Sequence, residues 1–184
     1  NTELKAYFLG LLYADGCNHK DANYISLALE QTDEEILKIL CAMIYKENPE
    51  SQIKTSDRTV DDKGITKYFT INSKHICAML EKHGCMQAKT FKLVYPDWLQ
   101  DNLHRHFIRG YFDGDGSIYS DKNKKRYTFK ITSTFAFCNG VKNVFKKFVG
   151  VNLNTYPHES VFDLMSCGNR QVKSILNWLY DDCN

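Results

Sequence analysis

The sequence has no long apolar run, no Cys-x-x-Cys pair and almost no net charge. Its longest unbroken apolar stretch, Ile39–Tyr45, is seven residues, far short of the roughly 18–20 that cross a bilayer, so no membrane partner is expected. The first apolar segment, Ala6–Ala14, follows Glu3 and runs into Asp15, which is not the pattern of a secretory signal. An intracellular protein is therefore expected, in a bacterial or phage cytoplasm or an organelle, and not a secreted one. The seven cysteines, at 17, 41, 77, 85, 138, 167 and 183, lie no closer than Cys77 and Cys85. Their odd number and wide spacing exclude a zinc ribbon or a closed disulfide framework, and Cys41 and Cys77 read as reduced core residues. Phosphate-cradling G-x-x-x-x-G-K-[ST] and nucleophile-elbow G-x-S-x-G patterns are also missing.

Enough apolar sequence is present to build a core. With 43% hydrophobic residues and a net charge of +2 over 184 residues, the chain can offset its folding entropy and is not disordered. The small net charge hides an uneven spread. Residues Tyr119–Gly150 hold eight basic side chains and one acid, whereas Asp21–Asp62 holds four basic and ten acidic. The basic stretch suits a polyanion partner.

A repeat organises the chain. Phe8-Leu-Gly-Leu-Leu-Tyr-Ala-Asp15-Gly16 and Ile108-Arg-Gly-Tyr-Phe-Asp-Gly-Asp115-Gly116 align at an offset of 100, pairing Gly10 with Gly110, Asp15 with Asp115 and Gly16 with Gly116. Strand patterns follow at Tyr24–Glu30, Gln52–Val60 and Thr66–Asn72, and again at Tyr127–Thr132, Val151–Tyr156 and Val161–Ser166. Helical spacing in Leu37, Leu40 and Ile44 matches Val141, Val144 and Phe148, and each half closes on a helix, Ile76-Met79-Leu80 against Val172-Ile175-Leu176. The reading is an α+β (mixed α/β) fold of two αββαββα repeats. One strand per half is undefined by pattern, and antiparallel sheets are covered by helices on one side, with a polar face left open. Residues 1–90 form the first repeat, 91–102 a linker holding Pro96, and 103–184 the second. Phe91, Leu93, Val94, Tyr95 and Trp98 predict that the linker packs.

The motif segments Leu4–Ala14 and Leu103–Gly114 predict helices ended by Gly16 and Gly116, a residue type suited to a left-handed cap. Gly10 and Ala14, like Gly110 and Gly114, are small residues four apart, which lets two helix backbones approach closely. Packing of these helices on each other would bring Asp15 and Asp115 together at the negative ends of two dipoles. Paired carboxylates there need a cation, or one takes up a proton. A hard divalent ion, with oxygens from Asp15, Asp115 and the Ala14 and Gly114 carbonyls, is the simplest answer. An EF-hand beginning at Asp113 fails at Ile118, where glycine is required, and at Lys124, where glutamate is required. His104 and His106 read as surface residues.

Both motif copies resemble the signature of the LAGLIDADG homing endonucleases in their two-repeat, single-chain form. The similarity extends through the run His106–Ile118 and the link Gly84-Cys-Met-Gln-Ala-Lys89-Thr90. It implies that the motif helices form the interface of pseudo-twofold halves, that the sheets make a saddle over a long asymmetric DNA site, and that the chain works as a monomer. It also implies metal-assisted cleavage of both strands with short 3′ overhangs. Asp15 and Asp115 would hold Mg²⁺, with Mn²⁺ able to substitute and Ca²⁺ supporting binding without turnover, and no small-molecule cofactor is implied. Lys89 matches the position of the family's catalytic basic residue. Its counterpart maps to position 185, and the chain begins without Met, so a longer protein carrying that residue is expected. Glu30, Gln31 and Ser133 match positions with polar residues near the metal site.

Base and backbone contacts are expected from the open faces: Tyr24, Ser26, Gln52, Lys54, Arg58, Thr66 and Thr70 in the first half, and Arg126, Thr128, Lys130, Thr132, Asn152 and Asn154 in the second. Lys122, Lys124 and Lys125 are expected on phosphates, and Lys142, Lys146 and Lys147 on a solvated helix face. The alternative readings are a non-cleaving DNA-binding regulator, an RNA intron maturase on the same fold, and a calcium-binding structural domain.

Overall fold

A computed structural model of the chain describes residues 2–57, 64–121 and 125–181. Arg58, Lys122 and Lys124, expected on DNA, lie outside the described residues. The chain forms two compact units, one of Asn1–Ala14 with Ala88–Asn184 and one of Asp15–Gln87.

In the larger unit, helix α1 (Thr2–Ala14) packs along helix α4 (His104–Asp115). A Cβ built on Gly10 would fall on the Phe107 carbonyl oxygen, and one on Gly110 would fall on that of Tyr7. The backbones touch where the sequence has no side chains, as the motif spacing predicts. Tyr13 then meets Phe107 edge-on, with ring centroids 5.1 Å apart, and Tyr111 packs on Phe137 at 4.3 Å. Strands β5 (Gly116–Asp121), β6 (Arg126–Ser133), β7 (Asn154–His158) and β8 (Val161–Cys167) form an antiparallel sheet in the order β5-β6-β8-β7. Helices α5 (Phe135–Phe148) and α6 (Asn169–Leu179) cover the face carrying Phe129, Ile131 and Leu164. Thr134 starts α5 by accepting a hydrogen bond from the Phe137 N–H and donating one to the Leu93 carbonyl, so the cap also ties down the linker. Within the linker Leu93, Tyr95 and Leu99 are buried, while Phe91, Val94 and Trp98, also expected to pack, are exposed.

The smaller unit repeats the plan: β1 (Cys17–His19), β2 (Tyr24–Glu30), α2 (Glu34–Ile44), β3 (Lys54–Asp57), β4 (Ile65–Asn72) and α3 (Lys74–Lys82), with sheet order β1-β2-β4-β3. Ile25, Leu27, Phe69 and Ile71 face α2 and α3 along with Leu37, Leu40, Cys41 and Cys77. Asn18 is fully buried among them and donates from Nδ2 to the carbonyls of Cys77 and Cys85, at 3.0 and 2.9 Å. It thereby accepts the end of α3 into the core.

Several expectations need correction. The strand expected at Val151–Tyr156 is β7, Asn154–His158, and Val151 and Leu153 are buried ahead of it. Gly16 and Gly116 are not left-handed caps: positive φ among the described glycines falls at Gly64, Gly84, Gly150 and Gly168, while Gly116 is extended. Glycine is required at 116 because a Cβ would meet the Phe112 ring and carbonyl oxygen. Strand β3 starts at Lys54 and not at Gln52, because left-handed Asn48 and Pro49 open a 3-10 turn, Pro49–Gln52. His104 and His106 are buried, at 7% and 2% exposure. Their opposite faces of α4 are covered by the linker and by α1, where Tyr95 Oη lies 2.8 Å from His104 Nδ1 and Glu3 Oε1 lies 3.8 Å from His106 Nε2.

Candidate nucleic-acid interface and metal-binding cavity

At the C-terminal ends of α1 and α4 lies a cavity of about 290 Å³ whose walls include Ala14, Lys89, Tyr111, Asp115, Thr132 and Ser133. Four residues expected at the site, Ala14, Lys89, Asp115 and Ser133, thus share one cavity. Each comes from a different place in the chain. Ala14 and Asp115 end the two motif helices, Ser133 ends β6, and Lys89 begins a 3-10 turn, Lys89–Phe91, launched by left-handed Ala88. Gly114 precedes Asp115 within α4. Asp15, Glu30 and Gln31 belong to the other unit, where all three are exposed.

Crowding by protein raises the Asp115 carboxyl above the ordinary carboxylate range, although its outer surface stays open to solvent. The Lys89 charge and a hydrogen bond with Tyr111 pull the other way without cancelling the shift. Burial pushes the Tyr111 phenol up, so it remains a proton donor at working pH. Its hydroxyl is 3.1 Å from Ser133 Oγ and 3.3 Å from the Thr132 carbonyl oxygen. Ser133 was visible in the sequence only through the family resemblance, and Tyr111 was missed, because a motif aromatic reads as core.

The donor set fits a hard cation. Asp115 could offer one carboxylate at the electronegative end of α4, and Ala14 lines the same cavity at the end of α1. Among the described residues no group of three or more His, Cys, Asp or Glu is placed to hold a metal. An ion here would keep water and phosphate ligands, which is the habit of Mg²⁺.

Beside the cavity, the uncovered face of β5–β8 presents Arg126, Lys130 and Thr132 at alternate positions, with Ser117 and Tyr119 on β5, Asp163 and Met165 on β8, and Asn154, Tyr156 and His158 on β7. Thr128 shares this face yet is buried, its Oγ1 3.4 Å from Cys167 Sγ. Asn152 is exposed ahead of β7, and Lys125 is exposed in the turn before β6. Lys147 pairs with Asp101 at 2.8 Å and is not free-standing on its helix.

Sequence reasoning also missed Asp163. It accepts hydrogen bonds from Lys130 Nζ at 2.9 Å, Thr132 Oγ1 at 2.6 Å and His158 Nδ1 at 3.4 Å, with 14% of its side chain exposed. Burial would raise its carboxyl, but the bonds from Thr132 and Lys130 and the Lys130 charge outweigh that and hold it below the usual range.

In the smaller unit the open face holds Tyr24, Ser26, Thr66, Thr70 and Lys54 as expected. It also holds Cys17 and His19, from a strand too short to show a pattern. His19 stacks on Tyr24 with ring centroids 4.2 Å apart, and its Nε2 is 3.2 Å from Ser26 Oγ.

The family model described as LAGLIDADG-like domain matches residues 2–84 and 102–161. The chain belongs to the LAGLIDADG family. Among solved structures, mesophilic variants of the homing endonuclease I-DmoI share 16% identity at a TM-score of 0.63, covering 99% of this chain and 98% of theirs. The homing endonuclease I-WcaI bound to its DNA recognition sequence shares 10% identity at 0.64, covering 98% of this chain and 82% of its own. Full-length DUF199/WhiA from Thermatoga maritima shares 16% at 0.64, covering 96% and 55%. These likenesses establish the LAGLIDADG fold. Among sequence relatives, the replication factor C small subunit of Methanocaldococcus jannaschii is 31% identical over 122 residues, 64% of this chain. The tRNA-splicing ligase RtcB of Pyrococcus furiosus is 23% identical over 205 residues, 96% of this chain. The chain spans 6% and 21% of the lengths of these two proteins. No helix among the described residues is long and apolar enough to cross a membrane.

Proposed function

We propose that this LAGLIDADG chain is a monomeric, divalent-metal-dependent DNA endonuclease that cuts both strands of a long asymmetric site and leaves short 3′ overhangs. The observation that carries the reading is the cavity gathering Asp115, Lys89, Ser133 and Ala14 at the ends of α1 and α4, next to a polar sheet face. The family supplies the same reading, since two of the structural neighbours are named homing endonucleases. Matches to small portions of a replication protein and an RNA ligase also fit a segment that moves between unrelated genes, as intron- or intein-borne endonucleases do.

In this reading Asp115, with the Ala14 and Gly114 carbonyls, would hold one Mg²⁺ or Mn²⁺, and Asp15 would serve as the corresponding ligand in its own half. A divalent ion bound there would supply Lewis-acid stabilisation of charge on the scissile phosphate. Lys89 orients the attacking water and donates to the phosphoryl oxygens as charge develops on them. Tyr111 and Ser133 fix the carboxylate, and Glu30 and Gln31 play the corresponding part in the other half. The open sheet faces lie in the major groove, where each residue pair reads a base edge. A DNA substrate places the working protein wherever that DNA is kept, inside the cell.

The test is selection from randomised duplex DNA in Ca²⁺, followed by a challenge with Mg²⁺. Cuts on both strands at a fixed offset, lost in Asp115→Asn and Asp15→Asn, are expected. A recovered site that stays intact in Mg²⁺ with this chain, and again with a longer chain carrying a basic residue at the position matching Lys89, would sink the nuclease reading and leave a DNA-binding protein.

A further inference from the structure

Resting on the DNA-binding reading, we propose that Asp163 is a specificity-determining residue. It takes Lys130 out of phosphate binding and locks Lys130, Thr132 and His158 into one rigid base-reading unit.

A carboxylate in the middle of a surface meant for DNA is repelled by phosphate, so its place there needs a reason. Reading cytosine directly through its N4 amino group would give one. The acceptor capacity of Asp163 is, however, mostly spent within the protein, on Lys130 at Oδ2 and on Thr132 and His158 at Oδ1. The residue is also too recessed, at 14% exposure, to lead a contact. What it does is organise its neighbours. Thr132 lies directly opposite Asp163 across the β6–β8 pair, and Tyr156 lies opposite it on β7. Donors from β6 and from the end of β7 thus converge on one carboxylate in the central strand β8.

An unpaired lysine on such a face swings among phosphates and adds affinity for any sequence. Lys130 held at 2.9 Å is nearly neutralised by its partner and loses that freedom, while two of its three ammonium protons stay available to a base edge. His158 gains direction as well. Its Nδ1 lies 3.4 Å from the carboxylate while about half of its side chain stays exposed. Affinity for random DNA is given up, and discrimination at the base step beneath the cluster is gained.

The experiment measures binding in Ca²⁺ of a random duplex and of the selected duplex by fluorescence anisotropy across 50–200 mM salt, with melting temperature followed in parallel. Asp163→Asn keeps the shape and removes the charge. Expected are roughly tenfold tighter binding of random duplex at 0.1 M salt and a slope steeper by about one counterion. Discrimination between the selected duplex and one altered at the Lys130 step should fall by about tenfold. Adding Lys130→Met to Asp163→Asn should abolish the gain on random DNA. If the gain persists without Lys130, only general charge repulsion was relieved and the proposal fails. Weaker binding of both duplexes by Asp163→Asn, at an unchanged melting temperature, also overturns it. Lys130→Met alone should weaken the selected duplex about tenfold more than the random one, and equal losses on both overturn the proposal even if Asp163→Asn does not fold. A wild-type chain that binds no duplex at all removes the DNA-binding reading itself.

Discussion

If Asp115 is the metal ligand proposed, it sets function against stability at a single side chain. Its carboxyl is raised by desolvation beyond what Lys89 and Tyr111 return. A carboxyl whose folded pKa lies above its unfolded value contributes stability at acid pH that is lost as pH rises. Asp115→Asn should therefore abolish cleavage, change duplex affinity by less than a few fold, and melt at a higher temperature than wild type at neutral pH. The difference in melting should shrink as pH falls into the ordinary carboxylate range, and a variant less stable at pH 7 would contradict the desolvation account. His104 has the opposite sign. Burial lowers its pKa below the ordinary 6.5 despite the opposing charges of Asp101 and Asp97, and the nearby Lys147 adds to the lowering. Stability from its neutral ring is present above 6.5 and lost as pH falls through the folded value. Melting curves from pH 7 to 5 should show that loss, and His104→Gln should flatten it.

At the scale of elements, the pairing of α1 with α4 depends on two missing side chains. On an open helix, Gly→Ala stabilises by about 1 kcal/mol. At Gly10 and Gly110 the added methyl would fall on a backbone carbonyl oxygen of the facing helix, and overpacking of that kind costs roughly 1–3 kcal/mol. Gly10→Ala and Gly110→Ala should each lower the melting temperature, by about 2–4 °C per kcal/mol in a chain of this size. A rise in melting temperature would show that the helices can separate freely. Thr134 joins two elements through one hydroxyl, capping α5 and holding Leu93. Thr134→Ala should cost about 1–2 kcal/mol by chemical denaturation, since a cap alone is worth about 1 and a second hydrogen bond about as much. Because Leu93 also lines the cavity, cleavage should slow alongside. The helices and the inner strands were legible because their apolar residues keep a strict period. Strands β1 and β5 were not. The first is three residues long with a buried asparagine facing the core, and the second is an edge strand with mostly exposed side chains.

For the whole molecule, the charge distribution matters more than its sum. Within Tyr119–Gly150, Arg126 and Lys130 lie on the open sheet face with Lys125 beside it, whereas Lys142, Lys146 and Lys147 belong to α5, which packs on the other face, so electrostatic affinity should draw first on the open face. If half a dozen lysines and arginines release counterions from DNA, affinity should fall roughly 10³-fold between 50 and 200 mM salt. A flat dependence would argue against phosphate contact. Lys130 and Lys147 should contribute little to that slope, since each is already paired with an aspartate.

The sequence by itself determined the repeat, the α+β plan and the motif aspartates, because each is written in local spacing. Periods of 2 and 3.6 report which face of an element is buried, and an offset of 100 reports duplication without any need for coordinates. Only the tertiary structure decided which polar groups meet. Asp163 stands 33 residues from Lys130 and 31 from Thr132, and Tyr111 reaches Ser133 across 22. Such pairings depend on strand register and helix packing, and no local pattern encodes them. That is why sequence reading listed Lys130 without its partner Asp163, took His104 for a surface residue, and passed over Asp163 itself.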